Sequence, residues 1–198
     1  MDHIETFETI EKIITERRSI KPQTFNGKKI DHAHIEQLLN LANWAPTHAF
    51  TEPWRFVVYK DTAVQRFCED HANLYQQNTP EEKFIQGTYD KLKTQGDNVS
   101  HIIAVFSRRG ANPNIPELEE ICATACAVQN MLLGAEALNI ATLWSTGGQT
   151  LKLSMKEYLH LREEDTMLGI VYLGYSDAPK PAGRRLVSME EKVMWYRS

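Results

Sequence analysis

The sequence contains little cysteine and no excess of positive charge, and its first residues do not resemble a secretion signal. The three cysteines, at positions 68, 122 and 126, lack the spacing of a disulfide framework. This favours a reducing compartment, and we expect a cytoplasmic protein. The formal net charge of -4 argues against nucleic acid or an anionic membrane as the main partner. The acidic start, MDHIETFETIEK, lacks the basic residues and the apolar run of a signal peptide.

Common catalytic signatures are also missing. No G-x-G-x-x-G follows a predicted strand, and G-x-x-x-x-G-K-[ST], G-x-S-x-G and H-E-x-x-H do not occur. The sequence therefore argues against a Rossmann enzyme, a P-loop nucleotidase, a serine hydrolase and a zincin. His32 and His34 could suggest a metal, but no further ligand stands at metal-binding spacing, so we expect both to be solvated. For the same reason Cys122 and Cys126 are interpreted as small core residues.

The composition is that of an ordinary globular chain. With 198 residues, of which 42% are hydrophobic and 24% charged, the chain can build one substantial core. No repeat or low-complexity tract divides it, so we predict a single domain over residues 1–198. Helical patterns alternate with short buried-strand patterns, which predicts an α+β arrangement of long helices around a small sheet.

The longest apolar pattern runs from residue 116 to residue 148. A proline and three glutamates suit a helix start, and no charge follows until Glu136. Apolar residues then cover two faces, which predicts a long helix buried on most sides, in the protein core or between two subunits. Asn139 suits a helix end, and residues 140–144 are predicted to form a strand. The small residues at 145–148 would let backbone amides approach a flat or anionic ligand.

A first amphipathic helix is predicted near the N-terminus, with apolar residues at helical spacing between positions 4 and 14. Arg17, Arg18 and Ser19 follow it directly. Two arginines and a hydroxyl at a helix end can bind a phosphate through charge-assisted hydrogen bonds. They can equally cap the helix and face solvent, because cations near the last carbonyl groups are favoured. The residues alone leave both interpretations open.

A second polar segment, APTHAFTEPW at residues 45–54, connects a helix capped by Asp31 to a strand predicted over residues 55–59. Two prolines restrict the loop, tryptophans bracket it, and it contains His48 and Glu52. Such a loop could hold an aromatic ligand on a rigid scaffold. The alternative is a plain helix-to-strand connection with a surface histidine.

The remaining elements are assigned from caps and apolar runs. Asp61 is predicted to cap one helix, and capping boxes at Thr79 and Ser154 predict two more. Residues 98–107 and 167–175 are predicted to be buried strands.

Four segments in register resemble the FMN-dependent nitroreductase family, and most of all its small, minimal members. In chain order they are Arg17-Arg18-Ser19, the A-P-x-H and E-P-W parts of residues 45–54, Trp144-Ser145-Thr146-Gly147, and GIVYLG at 169–174 before the tail with Lys180 and Arg185. Together they cover nearly the whole chain. The resemblance implies an intertwined α+β homodimer with a small, mostly antiparallel sheet flanked by long helices. It also implies one FMN per subunit at the dimer interface and a C-terminal strand that crosses to the partner.

The resemblance further implies a set of cofactor-binding residues: Arg17, Arg18, Ser19, His48, Glu52, Trp144, Ser145, Thr146, Arg184 and Arg185. The arginines and the first serine would bind the phosphate and ribityl end of FMN. His48 and Glu52, contributed by the other subunit, would lie near the isoalloxazine ring, and residues 144–146 would lie along it. Phe50 and Glu52 stand where many relatives have Asn and Gln, which alters the contacts to the ring.

The implied activity is transfer of hydride from NAD(P)H through FMN to a nitroaromatic, a quinone or a similar small electrophile by a ping-pong route. Because the flavin carries the chemistry, no dedicated catalytic side chain and no metal are expected. Two alternatives stay open: a reductive dehalogenase or other specialised flavin reductase, and a flavin-binding protein without turnover. The sequence does not choose between NADH and NADPH.

Overall fold

The computed structural model describes residues 2–197, which form six α-helices and one four-stranded sheet. The helices are α1 (His3–Glu16), α2 (His32–Ala42), α3 (Thr62–Gln77), α4 (Gln86–Thr94), α5 (Glu117–Ala137) and α6 (Leu153–Tyr158). The strands are β1 (Trp54–Lys60), β2 (His101–Ser107), β3 (Ala141–Ser145) and β4 (Thr166–Gly174). This order confirms the predicted α+β class. Within the described part of the chain, no helix has both the length and the apolarity needed to cross a bilayer.

The sheet is antiparallel throughout, with strand order β1-β2-β4-β3. All four strands predicted from the sequence are present, and their ends shift by at most a few residues. β2 and β4 occupy the centre and are buried along almost their whole length, whereas β1 and β3 form the two edges. The register between β2 and β4 shifts between Val105 and Phe106.

Helices cover both faces of the sheet. α2 and α5 pack on one face, where their apolar side chains join Ile103 and Val105 of β2. α3 and α6 pack on the other face, where they join Ile102 and Ala104. Successive β2 residues therefore enter opposite cores, as the two-residue period of a strand requires. A continuous apolar run is consequently what the sequence shows for β2.

α5 is buried along one stripe rather than on most of its sides. Its buried residues recur at three- and four-residue intervals: Glu120, Ala123, Thr124, Ala127, Val128, Met131, Leu132 and Ala135. Cys122 and Cys126 are exposed, so their interpretation as core residues is wrong for the single chain. Small residues on two helix faces look alike in sequence, and only the position of the sheet decides which face is covered. The other predicted location, between two subunits, would explain why the exposed second face of α5 is also apolar.

The capping predictions are only partly correct. Asp31 caps α2 as predicted, and its side chain accepts a backbone N–H two residues on at 2.9 Å. Asp61 occupies the N-cap position of α3, but its side chain makes no capping hydrogen bond. The boxes at Thr79 and Ser154 are wrong, because α4 begins only at residue 86 and the Ser154 hydroxyl donates to a neighbouring glutamine. A capping motif consists of only a few residues, so tertiary contacts of those residues can outweigh its local preference for a helix start.

α1 and the C-terminal tail leave their apolar side chains largely uncovered. No residue of α1 is buried, and the four apolar residues of its predicted face are 44% to 65% exposed. In the tail, Met194, Trp195 and Tyr196 are 76% to 90% exposed. Contiguous exposed apolar surface of this kind marks interaction sites in soluble proteins.

Candidate functional site

The chain that follows α1 runs along the free edge of β3. Ser19 forms a parallel bridge with Thr142, and the Ile20 N–H donates to the Thr142 carbonyl at 2.8 Å. Trp144 comes two residues after Thr142 in the same strand. The structure therefore brings the RRS segment (residues 17–19) to the strand that leads into the β3 loop (residues 145–150).

The two arginines of the RRS segment differ in their contacts. Arg18 donates to the carbonyl oxygens of Thr15 at 2.6 Å, Arg17 at 2.8 Å and Pro181 at 3.1 Å. Arg17 is half-buried, and its guanidinium makes no hydrogen bond or ion pair with any residue from 2 to 197. A guanidinium offers five donors in a planar fork that matches a phosphate. Arg17 is therefore free to bind an anion, whereas Arg18 holds the main chain of the tail.

The basic tail returns to the same edge. Lys180 forms an ion pair with the last turn of α5, and a Cβ added at Gly183 would overlap the Arg18 guanidinium. These contacts keep residues 180–183 beside the RRS segment. Arg184 and Arg185 follow immediately, and both are exposed. Positive charge is thus concentrated where a phosphate is predicted to bind.

Trp144 is fixed against the centre of the sheet. Its indole N–H donates to the Leu168 carbonyl at 3.0 Å. Gly169 has a φ of +150°, and a Cβ there would overlap the indole ring, so the close approach requires glycine. Ser145 is half-buried and Thr146 is exposed. The β3 loop therefore starts from a rigid point, and its residues 146–148 are exposed.

The proline loop, residues 45–54, has a strained backbone. Ala49, Phe50 and Glu52 have φ angles of +48°, +55° and +40°. Non-glycine residues in such conformations cost about 1–3 kcal/mol each. The Thr47 hydroxyl offsets part of this cost, because it accepts the Glu52 N–H at 3.1 Å. Strain of this kind tends to concentrate at binding and catalytic sites.

His48 and Glu52 do not reach the RRS segment within one chain. The proline loop leads into β1, and β2 and β4 lie between β1 and β3. At about 4.8 Å per strand, the two edges are roughly 14 Å apart. His48 Nδ1 is hydrogen-bonded to the Glu119 carboxylate of α5 at 2.6 Å, and Glu52 is exposed. The predicted site residues therefore form two groups, one at each edge of the sheet.

A buried histidine, which the sequence did not indicate, is hydrogen-bonded to the backbone of the β3 loop. His71 of α3 is 2% exposed, and its Nε2 accepts the Gln149 N–H at 3.1 Å. Burial lowers the pKa of His71 from 6.5 to about 4. The available signal was its position on the apolar face of α3, four residues after Phe67.

Two buried carboxylates with arginine partners fix the start of α5, and the sequence did not indicate them either. Glu120 accepts the Arg109 guanidinium at 2.5 Å and the Gly110 N–H at 3.0 Å. Asp165 accepts Arg162 at 2.7 Å and the Arg109 N–H at 3.1 Å. Burial would raise the pKa of Asp165, but these hydrogen bonds hold it below its usual range. The network orients the turn of α5 that carries the partner of His48.

Comparisons with known proteins identify the family to which the fold belongs. YdjA of Escherichia coli (strain K12), provisionally named an NAD(P)H nitroreductase, is 26% identical over 140 residues, or 71% of this chain and 74% of YdjA. The crystal structure of a nitroreductase-like family protein from Bacillus cereus is 26% identical, covers 96% of each chain and has a TM-score of 0.82. A provisionally named nitroreductase from Desulfovibrio desulfuricans, solved in complex with FMN, is 21% identical over 95% of this chain and 96% of its own, with a TM-score of 0.71. The Nitroreductase family model matches residues 14–175, and the chain therefore belongs to the nitroreductase family.

Proposed function

We propose that this protein is an FMN-dependent oxidoreductase that takes hydride from NAD(P)H and transfers it to a nitroaromatic, a quinone or a similar small electrophile. The observation that carries the proposal is the half-buried Arg17, which has no anionic partner among residues 2–197 and lies next to Ser19 at the β3 edge. Family membership supports it, as do the name of YdjA and the FMN bound to the Desulfovibrio desulfuricans protein.

The residues at the β3 edge fit the phosphate end of FMN. Arg17 supplies a free guanidinium, Ser19 an exposed hydroxyl, and Arg184 and Arg185 further positive charge from the adjoining tail. Charge-assisted hydrogen bonds from such a set are roughly twice as strong as neutral ones. Arg18 acts differently, because its donors are taken by carbonyl oxygens and it keeps the tail in place.

The β3 loop fits the ring end. Flat ligands bind best in sites with a rigid wall and a few fixed polar groups. Trp144 is held by the sheet, and the backbone of Ser145 and Thr146 extends from it as a source of donors. When bound, FMN supplies the hydride chemistry. The residues of the chain bind the cofactor, orient it and limit the access of water, and no nucleophile is required of them.

We propose further that the protein is a homodimer in which each site is completed by the partner's proline loop. Two observations support this assembly. The predicted ring contacts His48 and Glu52 lie at the opposite sheet edge from the RRS segment, so one chain does not unite them. The apolar side chains of α1, the second face of α5 and the tail are exposed in the single chain. Symmetric contacts between two copies are the commonest way in which a soluble protein covers such surfaces.

Truncation of the tail tests the dimer. Removal of residues 192–198 deletes four exposed apolar side chains of the tail, Val193, Met194, Trp195 and Tyr196, while leaving Arg184 and Arg185 in place. We expect loss of the dimer together with loss of FMN, measured by sedimentation velocity and flavin absorbance. A stable, FMN-loaded monomer at micromolar concentration would contradict the assembly.

Spectroscopy and turnover test the function. The purified protein should show flavin absorbance and release FMN, not FAD, on denaturation. It should oxidise NADH or NADPH faster when menadione or a nitroaromatic acceptor is added. A colourless protein that FMN cannot reconstitute would refute FMN dependence. A yellow protein without turnover toward any acceptor would instead be a flavin-binding protein.

A further inference from the structure

A histidine of α3 is hydrogen-bonded to the backbone of the β3 loop. His71 lies in the second half of α3 and is almost completely buried. Its Nε2 accepts the backbone N–H of Gln149, which lies three residues after Thr146. No other residue of α3 has a hydrogen bond to the backbone of the loop within the described chain. The ring therefore connects a rigid helix to the segment that is proposed to lie along the flavin.

The geometry assigns the protonation state of the ring. An imidazole nitrogen that accepts an N–H carries a lone pair, so the ring proton must be on Nδ1. Burial lowers the pKa of His71 to about 4, which keeps the ring neutral at neutral pH. Gly148 has a φ of +63°, and a Cβ there would lie 2.7 Å from Nε2. The loop thus turns directly over the acceptor nitrogen.

Further hydrogen bonds make the far end of the β3 loop rigid. The Gln149 side-chain oxygen accepts the buried Ser154 hydroxyl at 3.0 Å. The Thr150 hydroxyl donates to the Gly147 carbonyl at 2.7 Å. At the near end, Trp144 is bonded to β4. Ser145 and Thr146 therefore lie between two fixed points, Trp144 at one end and Gln149, which is bonded to His71 and Ser154, at the other.

We propose that His71 is a positioning residue for the cofactor, which sets the path of Ser145 and Thr146 along the isoalloxazine ring by accepting the Gln149 N–H. The inference rests on the proposed function. His71 itself does not contact the cofactor. Without the acceptor, the Gln149 N–H is left unpaired in a buried place, and the loop shifts to regain a partner. Donors aimed at the ring would then move, and both affinity and reduction potential would change.

Three substitutions separate positioning from general stability. His71→Leu removes the acceptor at similar volume, and His71→Gln restores an acceptor oxygen. Val64→Ala is the matched control, because it opens a cavity on the same buried face of α3 and leaves the β3 loop untouched. The measured quantities are the FMN dissociation constant, the two-electron potential and the thermal midpoint.

We expect His71→Leu to weaken FMN binding about tenfold, the effect of losing one hydrogen bond of roughly 1.4 kcal/mol, and to shift the potential. His71→Gln should recover most of the affinity. Val64→Ala should lower only the midpoint. If His71→Leu lowers the midpoint but leaves affinity and potential as in the wild type, the role is structural and the inference is overturned.

The wild-type protein provides a test that does not depend on a variant folding. Nitrogen NMR of the imidazole should show the neutral tautomer protonated on Nδ1, and the Gln149 amide should exchange slowly. An Nε2-protonated ring would refute the contact. If the wild type does not bind FMN, the proposed function fails. If it binds FMN and the histidine variants bind it equally well, only this inference fails.

Discussion

The neutral, buried His71 predicts a specific dependence of stability on pH. Its pKa is about 4 in the folded chain against 6.5 in its ordinary state. The unfolded chain therefore binds the proton more tightly between these values, and stability must fall as the pH is lowered through that window. At 1.36 kcal/mol per pKa unit, the full contribution is roughly 3 kcal/mol, present above pH 6.5 and lost toward pH 4. By pH 5 about 2 kcal/mol of it should be gone.

Urea unfolding of the wild type and of His71→Gln at several pH values between 7 and 4.5 measures this term. Other histidines, including His101, whose pKa is also lowered by burial, contribute equally to both proteins. The difference between the two curves therefore isolates His71. We expect the wild type to lose about 2 kcal/mol more unfolding free energy than His71→Gln between pH 7 and pH 5. Parallel curves would show that His71 titrates normally and that its hydrogen bond to Gln149 is not formed in solution.

Three further predictions concern the candidate site. Arg17→Ala should weaken FMN binding by roughly 1.5–3 kcal/mol, the range for a hydrogen bond to a charged group, whereas His32→Ala at the surface should not. Glu52→Gln should raise the flavin potential at pH 8, by about 30 mV per ~1.4 kcal/mol of repulsion removed, because a carboxylate near the ring opposes the charge of reduction. Gly169→Ala should lower the free energy of unfolding by about 1–3 kcal/mol, because the added methyl group overlaps Trp144.

The results that would contradict these three predictions concern the affinity, the potential and the stability of the variants. Equal FMN affinity in Arg17→Ala, measured by fluorescence titration, would show that Arg17 does not bind the cofactor phosphate. An unchanged or lowered potential in Glu52→Gln, measured by dye equilibration, would place the carboxylate away from the ring. Wild-type stability of Gly169→Ala in urea would show that the indole can move aside at little cost.

The helices and strands could largely be predicted from the sequence, because each shows the apolar spacing typical of its own secondary structure. β2 appears as a continuous apolar run, and it is a central strand buried on both faces. The faces of α5 were predicted less well, since apolar residues on two sides of a helix do not show which side meets the sheet. Glu120 has the type and position of an exposed helix-start residue, yet it is buried against Arg109. Arg109 lies 11 residues earlier in the chain and outside the helix, so the local spacing of α5 does not reveal it as a partner.

The residues of the candidate site, like the elements of the fold, could be predicted only in part from the sequence. The RRS segment and the residues around Trp144 could be grouped from resemblance, and the structure brings them to one edge of the sheet. The two arginines could not be told apart in sequence, because only the fold shows that carbonyl oxygens occupy Arg18. His71 was missed because a histidine on an apolar helix face has the same pattern whether it only fills space or holds a distant loop.

The exposed apolar face of α1 has a consequence for the order of folding. A helix of 14 residues is marginally stable in water on its own, and α1 contributes no buried residue to its own chain. Its backbone amides should therefore exchange with solvent quickly in a dilute, newly made chain and slowly once a second surface covers the helix. Arg17 and Ser19, the proposed phosphate-binding residues, follow α1 directly, but Ser19 is paired with β3 within the chain, so only α1 itself depends on a second surface. Hydrogen exchange of α1 should then depend on protein concentration, while exchange of β2 should not.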